Sequence, residues 1–357
     1  MQSGLREGLP GRDHSPSFRE RVDSFWEWFA AVAPQFYEEI ESGNCAALEP
    51  AVSRVVGTHL PSFSWAFGPG EHAGHSLTLS ASGNLHRQFL AEYWRERAPM
   101  IDGWTFHASR QPTQLDDLEI GIAGRQVAAA DLMIAPTVDE EANMIDIVAW
   151  HPSFESLDED FQYTVVFLYL DEALGEFGTQ SWIGGIDLRA HTGEAIPVTQ
   201  MKPFVDRVVE QRDWNRNSPL ESYSTYRMPE PSSGFLRADT LIGTTSNMSL
   251  IHDYFDADGD MENPLDGLGA EFIFLTLPSD IFPEGEQVEV RGRFEDDLDE
   301  RLRAASCGRH IGGAFGLGGG YIDLLFFDLD AAHEIVAAYL KEQGLAERAQ
   351  LHLFARQ

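Results

Sequence analysis

The stretch GRHIGGAFGLGGG, Gly308 to Gly320, runs straight into Tyr321-Ile322-Asp323-Leu324-Leu325-Phe326-Phe327. Its glycine density invites a phosphate-loop reading. A P-loop requires a strand, then G-x-x-x-x-G-K-[ST], then a helix, so that backbone N–H groups and a lysine hold the phosphates. No lysine follows here, and none occurs between Lys202 and Lys341. A dinucleotide fingerprint requires its glycines to open a helix, whereas these lead into a run with strand character. The stretch therefore reads as two strands joined by a hairpin, with Gly316, Gly318, Gly319 and Gly320 expected to supply the positive φ angles of the turn.

Working outward from that hairpin, Val288–Arg293 alternates like a strand and Glu295–Ala305 reads as an amphipathic helix with acidic residues in its first turn. Arg309–Phe315 and Tyr321–Phe327 are the hairpin strands. Ala331–Gln343 is a helix stopped by Gly344, and Ala349–Phe354 closes as a strand. The order is β-α-β-β-α-β, a ferredoxin-like unit. Upstream, helices are expected over Phe18–Ser42, Glu49–His59 and Leu85–Arg97, with strands near 76–80, 103–110, 118–123, 130–134 and 144–150. Leu157–Glu176 fits a helix, with Val165-Val166 making a strand the competitor, and Trp182–Arg189 is a strand. The predicted class is α+β with two domains, the first combining helices with a mixed or antiparallel sheet. Residues 1–17 read as a disordered tail, 18–210 as the N-terminal domain, 211–235 as a Pro/Ser-rich connector and 236–357 as the C-terminal domain. Trp214, Tyr223 and Tyr226 give the connector side chains able to pack on a domain face.

The 357 residues carry 25 Lys+Arg against 58 Asp+Glu, a net charge of −33. A surface this negative repels phosphate backbones and anionic lipid, so no nucleic-acid or membrane partner is expected; it reads either as a solvation adaptation or as a field that steers a basic protein partner inward. Residues 251–300 hold 16 Asp+Glu and only Arg291 and Arg293. The N-terminus lacks the apolar core of a signal peptide, no apolar run approaches a membrane span, and Cys45 and Cys307 fit a reducing compartment. The expected location is cytoplasmic.

Motifs for chemistry are sparse. Asp256, Asp258 and Asp260 have the spacing of the first EF-hand ligands, but Met261 stands where that loop needs glycine and Gly267 where it needs glutamate. A weak calcium site and a solvated acidic loop both remain open. His72 and His75 form E-H-x-x-H in a Pro/Gly loop, not the helical H-E-x-x-H of a zinc protease. His151 is a candidate general base, with Asp146 and Asp171 in the same half, or a buried ring with one hydrogen bond. Cys307 follows a helix C-terminus, which raises a thiol's pKa. No catalytic residue and no cofactor is assigned. The metal candidates are Asp256, Asp258, Asp260, His72 and His75.

The segment Gly312-Gly313-Ala314 through Gly320-Tyr321-Ile322-Asp323 to Phe327-Asp328 resembles bacterial domains related to regulator of ribonuclease E activity B. The segments Leu77-Thr78-Leu79-Ser80, Ala98-Pro99, Gly103-Trp104 and Leu170–Glu176 look like uncharacterised bacterial proteins, some similar to toxin-immunity proteins. These resemblances imply a binding or regulatory role and carry over no catalytic residue. The expected function is a non-enzymatic acidic protein that binds and regulates or neutralises a basic partner. The alternative is a hydrolase or metal-dependent enzyme using a histidine or the acidic loop.

Overall fold

The computed structural model describes residues 15–71, 74–115, 118–189, 194–214 and 218–356. The expected 1–17 tail therefore lies almost wholly outside the described residues. In chain order the first elements are α1 (Phe18–Glu41), α2 (Glu49–His59), β1 (Ser64–Pro69), β2 (His75–Ser80), α3 (Leu85–Glu96) and β3 (Trp104–His107). Then come β4 (Glu119–Ile122), β5 (Arg125–Ala128), β6 (Met133–Asp139), β7 (Met144–Trp150), α4 (Glu159–Leu174), α5 (Glu176–Trp182), β8 (Ile183–Leu188), β9 (Ile196–Pro197) and α6 (Met201–Arg212). The last are β10 (Ser224–Arg227), β11 (Thr240–Thr245), α7 (Met248–Asp256), β12 (Glu271–Pro278), α8 (Gln287–Ala304), β13 (Gly308–Gly316), β14 (Gly319–Phe326), α9 (Leu329–Glu342) and β15 (Gln350–Leu353). The class is α+β, as the sequence predicts.

The division into units differs from the expected cut at 211–235. One compact unit combines residues 1–63, 84–103 and 218–357, and the other 64–83 and 104–217. The reason is visible at the start of α1. A capping box of Ser17 and Glu20 opens the helix. Phe18 N–H then donates to Gly269 O at 2.8 Å and Arg19 N–H to Phe327 O at 2.9 Å, and the Arg19 guanidinium pairs with Asp328 at 2.7 Å. Tyr93 of α3 stacks on Phe327 at 3.9 Å, and Trp26 of α1 on Trp94 of α3 at 4.5 Å. Early helices thus pack with the late sheet. The connector is not a linker either, because Ser224–Arg227 is a strand of that sheet and Trp214 stacks on Trp182 at 5.9 Å.

The first unit is built on a six-stranded sheet of order β10-β11-β13-β14-β12-β15, with every neighbouring pair antiparallel. Its last part runs β12-α8-β13-β14-α9-β15, the expected β-α-β-β-α-β order with one correction. The expected first strand, Val288–Arg293, is the opening of α8. Val290, Arg291, Leu298 and Leu302 are buried at helical spacing, and Arg291 pairs with Glu295 four residues on at 2.8 Å. The true first strand, Glu-Phe-Ile-Phe-Leu-Thr-Leu-Pro, is central and covered on both faces, so its apolar run is nearly continuous and shows no clean alternation. Ile273, Leu275, Ile322, Leu324 and Phe326 on one face meet Leu298, Leu302, Val336 and Leu340 of α8 and α9 in an apolar core.

The glycine stretch is a hairpin, as expected, with Leu317-Gly318 as its turn. The expected role of its glycines is corrected. Gly316, Gly318 and Gly320 have no positive φ, and Gly319 at 159° is close to extended. They are needed for close approach instead. A Cβ on Gly316 would lie 2.6 Å from the Asp239 carboxylate oxygens, and one on Gly320 2.7 Å from the Phe282 ring.

The second unit contains a three-stranded sheet, β1-β2-β3, the β4-β5 hairpin, and a four-stranded sheet, β8-β7-β6-β9. The core under the last is formed by Ile134, Ile145, Ile147, Val165, Tyr169, Leu170, Val205 and their neighbours. The expected helix over 157–176 is present from Glu159, and it breaks at Gly175 (φ 75°) into α4 and α5. Among the described residues no helix is long and apolar enough to cross a membrane.

Candidate functional site

The chemistry-bearing residues singled out in the sequence are placed as follows. His151 is 3 % exposed and its Nδ1 accepts the Ser153 N–H at 3.0 Å, capping a short 3-10 turn. Burial lowers its pKa, against the raising pull of Asp131 and the Ala128 carbonyl. Asp146 accepts the Gly185 N–H at 2.6 Å and Asp171 pairs with Arg110 at 3.2 Å, so both carboxylates are engaged away from the histidine. His75 opens β2, with its ring 5.9 Å from Trp104, and His72 lies outside the described residues. Asp256 ends α7, Asp258 takes a left-handed φ of 51°, and Asp260 is ion-paired with Arg356, whose Nη2 also donates to the Asp260 carbonyl at 3.1 Å. Among the described residues no three His, Cys, Asp or Glu side chains are grouped to hold a metal ion. The three aspartates therefore do not form the ligand cluster that their spacing invited. Cys307 is fully buried and burial pushes its thiol up to about 11, in line with the inert reading.

Two of these aspartates belong to a different arrangement. Asp256 and Asp258, together with Glu230, line a cleft of about 310 Å³ in the first unit, along with Met228, Pro229, Ser232, Phe235, Ala238 and Phe255. Burial sets its depth. Ala238 is buried, Phe235, Phe255 and Met228 are half-buried, and the three carboxylates are exposed. Every ionisable side chain lining the cleft is thus acidic and sits at its mouth, over an apolar interior. The Phe235 and Phe255 rings meet edge-on at 5.7 Å. None of the three carboxylates takes part in an ion pair or side-chain hydrogen bond among the described residues.

The local sequence explains why the cleft forms. Asn247 caps the N-terminus of α7 through its side chain. The helix ends at Asp256 with no basic residue in its last turn, so its negative dipole end faces the acidic rim uncompensated. Asp258-Gly259 then reverses the chain. Gly259 has φ 80°, and a Cβ there would lie 2.7 Å from the Phe235 ring, so glycine meets both a backbone and a packing requirement. On the other wall, Ser232 N–H donates to the Ala238 carbonyl at 2.8 Å and closes the 232–238 loop. Tyr254 Oη donates to the Leu236 carbonyl at 2.9 Å and ties that loop to α7.

Beneath the loop lies its anchor. Arg237 is 2 % exposed and forms a two-pronged pair with Asp323 of β14, of which the Nη2–Oδ2 contact is 2.8 Å. Nη2 also donates to Tyr226 Oη at 2.8 Å. The guanidinium lies 5.0 Å from the Phe354 ring, 5.4 Å from Tyr321 and 5.6 Å from Phe274. Burial alone would lower the Arg237 pKa, but Asp323 and Tyr226 outweigh it and hold it above the usual arginine value. The pair is neutral overall, so it fixes the loop without cancelling the charge at the cleft mouth.

Sequence reasoning found Asp256 and Asp258 but missed Glu230, Phe235 and Phe255. Glu230 and Phe235 fall in the segment expected to be a connector. A signal was there, in the aromatic and acidic residues punctuating that Pro/Ser stretch.

No protein-family model, curated protein or solved structure matches the chain.

Proposed function

We propose that this chain is a non-enzymatic, cytoplasmic binding protein that takes a basic protein partner against its acidic surface and thereby regulates or neutralises it. The observation that carries the reading is the cleft bounded by Glu230, Asp256 and Asp258. Among the described residues three carboxylates stand unpaired around an aromatic interior, at the negative end of α7, in a chain of net charge −33. Unpaired like charges at one spot repel each other in the free protein, and a cationic partner relieves that repulsion on binding. His151, the candidate general base, favours the same direction, since its Nδ1 is taken up by the Ser153 N–H in capping a turn. The resemblance of Gly312–Asp328 to domains related to a ribonuclease regulator, and of the first half to uncharacterised proteins of which some are similar to immunity proteins, also favours restraint of another protein.

The test is affinity capture from source-cell extract at low salt, mass-spectrometric identification, and reconstitution with the purified partner. The expected result is a stoichiometric complex with a protein of high pI, weakening steeply between 50 and 300 mM salt, on the order of tenfold or more, as charge steering is screened. A complex indifferent to salt, or none with any basic protein, refutes the reading.

A further inference from the structure

The geometry points to the cleft as the socket for one arginine side chain of the partner, set in an apolar surround. This inference rests on the binding role proposed above and adds what the partner must present. The size comes first. At about 310 Å³ the cleft lies at the small end of the ~300–1,000 Å³ typical of ligand sites, suited to one long side chain and tight for a cofactor. The lining comes second. An arginine carries an apolar stem, a flat face that stacks on aromatic rings and a fork of donors that matches carboxylates. Met228 and Ala238 offer apolar surface to the stem, Phe235 and Phe255 offer rings to the face, and Glu230, Asp256 and Asp258 offer acceptors to the fork. An ammonium is more strongly hydrated and gains less from the rings, so lysine is the weaker occupant.

Leu236, Leu241 and Leu317 are 56 %, 40 % and 67 % exposed. Each is joined to the segment that builds the cleft. Leu236 follows Phe235, the Leu241 carbonyl accepts the Met228 N–H at 3.1 Å, and the Leu317 N–H donates to the Asp239 carbonyl at 3.2 Å. An aromatic- and methionine-lined socket, with exposed leucines on the segments joined to it, can take an arginine anchor and add apolar contacts from the chain that carries it. A free polyamine has no use for those leucines, which commits the proposal to an arginine carried on a protein.

The experiment titrates the full-length protein with three blocked peptides that differ at one position: leucine-arginine-leucine, leucine-lysine-leucine and leucine-citrulline-leucine. The readout is the 13C-methyl NMR signal of Met228. The arginine peptide should shift that signal saturably, with affinity at least about tenfold above the citrulline peptide and severalfold above the lysine peptide. The exposed triple variant Glu230→Gln/Asp256→Asn/Asp258→Asn should lose at least about tenfold for the arginine peptide with an unchanged thermal melt. Equal binding of arginine and citrulline peptides, lysine binding as tight as arginine, or full affinity in the triple variant overturns the proposal. So does arginine-peptide binding that leaves Met228 unshifted. Capture of a basic partner by the triple variant as strong as by the natural protein sinks the socket and leaves the binding role standing. Capture of no basic protein by the natural protein sinks both.

Discussion

Replacing Asp323 with leucine should be among the most damaging single changes in the first unit. The substitution removes the carboxylate from a pair in which Arg237 is 0 % and Asp323 1 % exposed at the side chain. The guanidinium is then left buried, held by Tyr226 Oη and three ring faces. Breaking a buried pair from one side costs about 3–5 kcal/mol, because the surviving charge has lost its solvent and its partner. Against a typical total of about 5–15 kcal/mol, that is about a fifth of the stability or more. With a urea slope of about 2–3 kcal/mol per molar, the midpoint should fall by about 1–2 M. Arg237→Met should do comparable harm by stranding Asp323. The double variant Arg237→Met/Asp323→Leu should recover most of the loss, since both desolvation costs disappear together. What remains is the orphaned Tyr226 hydroxyl, about 1 kcal/mol, plus lost ring contacts. The assay is urea unfolding of the four proteins followed by far-ultraviolet circular dichroism. A double variant as unstable as the sum of the singles, or single losses below about 1 kcal/mol, would refute the view of this pair as a mutually dependent anchor.

Other expectations follow from buried groups elsewhere. Glu176 is 2 % exposed and accepts from Ser80 Oγ at 2.7 Å, Gly83 N–H at 2.8 Å and Arg110 N–H at 3.3 Å. Glu176→Ala should cost about 3 kcal/mol in thermal or urea unfolding and Glu176→Gln clearly less, since the amide retains one acceptor. Glu271 is pushed up to about 7 by burial, with the Asn263 amide at 3.0 Å opposing and Asp266 adding to the rise. Because the folded value exceeds the unfolded one, stability is fully present below about pH 4.5 and is lost as pH rises through 7. The loss attributable to this group should be about 1–3 kcal/mol between pH 5 and 8, and Glu271→Gln should flatten that slope. Cys307, buried and raised to about 11, should resist a thiol reagent at pH 8 in the folded protein while the partly exposed Cys45 reacts; two equally fast thiols would contradict this.

The elements legible in the sequence were those whose pattern is local. The β7 strand, Met144–Trp150, and the α2 helix, Glu49–His59, have the predicted bounds because alternation, or turn-by-turn periodicity, is set by one partner face. The β12 strand escaped because it is flanked by β14 and β15 and covered on both faces, which erases alternation. The Val-Glu-Val-Arg-Gly-Arg start of α8 imitated a strand over six residues. What decides its conformation lies farther off, in the burial of Leu298 and Leu302 and in the Arg291–Glu295 pair that only a helix brings together. The unit boundary was misplaced for a related reason. Nothing near Phe18 or Arg19 announces that their backbone groups will pair with Gly269 and Phe327, some 250 to 310 positions along the chain. The cleft was the least legible feature, since Glu230, Phe235 and Asp256 come from a loop and a helix end whose meeting no local pattern encodes.

The glycine-rich hairpin bears on which charge this surface can accept. Its turn does hold an anion, but one the chain supplies: Asp239 accepts the Gly318 N–H at 2.7 Å and the Tyr321 hydroxyl, and sits where a Cβ on Gly316 would be. A phosphate seeking those donors competes with a tethered carboxylate whose effective concentration is fixed by the fold. It must also approach through the field of a chain with 33 excess negative charges. Both terms act against an anionic ligand. At the cleft they act the other way, because among the described residues Glu230, Asp256 and Asp258 have no cation to satisfy them, and the buried Arg237 is committed to Asp323. The internal Arg237, clasped by Phe274, Tyr321, Phe354 and a carboxylate, shows how this sheet accommodates a guanidinium. The outer cleft offers the same chemical groups with no cationic occupant among the described residues, the condition under which the proposed arginine would find its acceptors free.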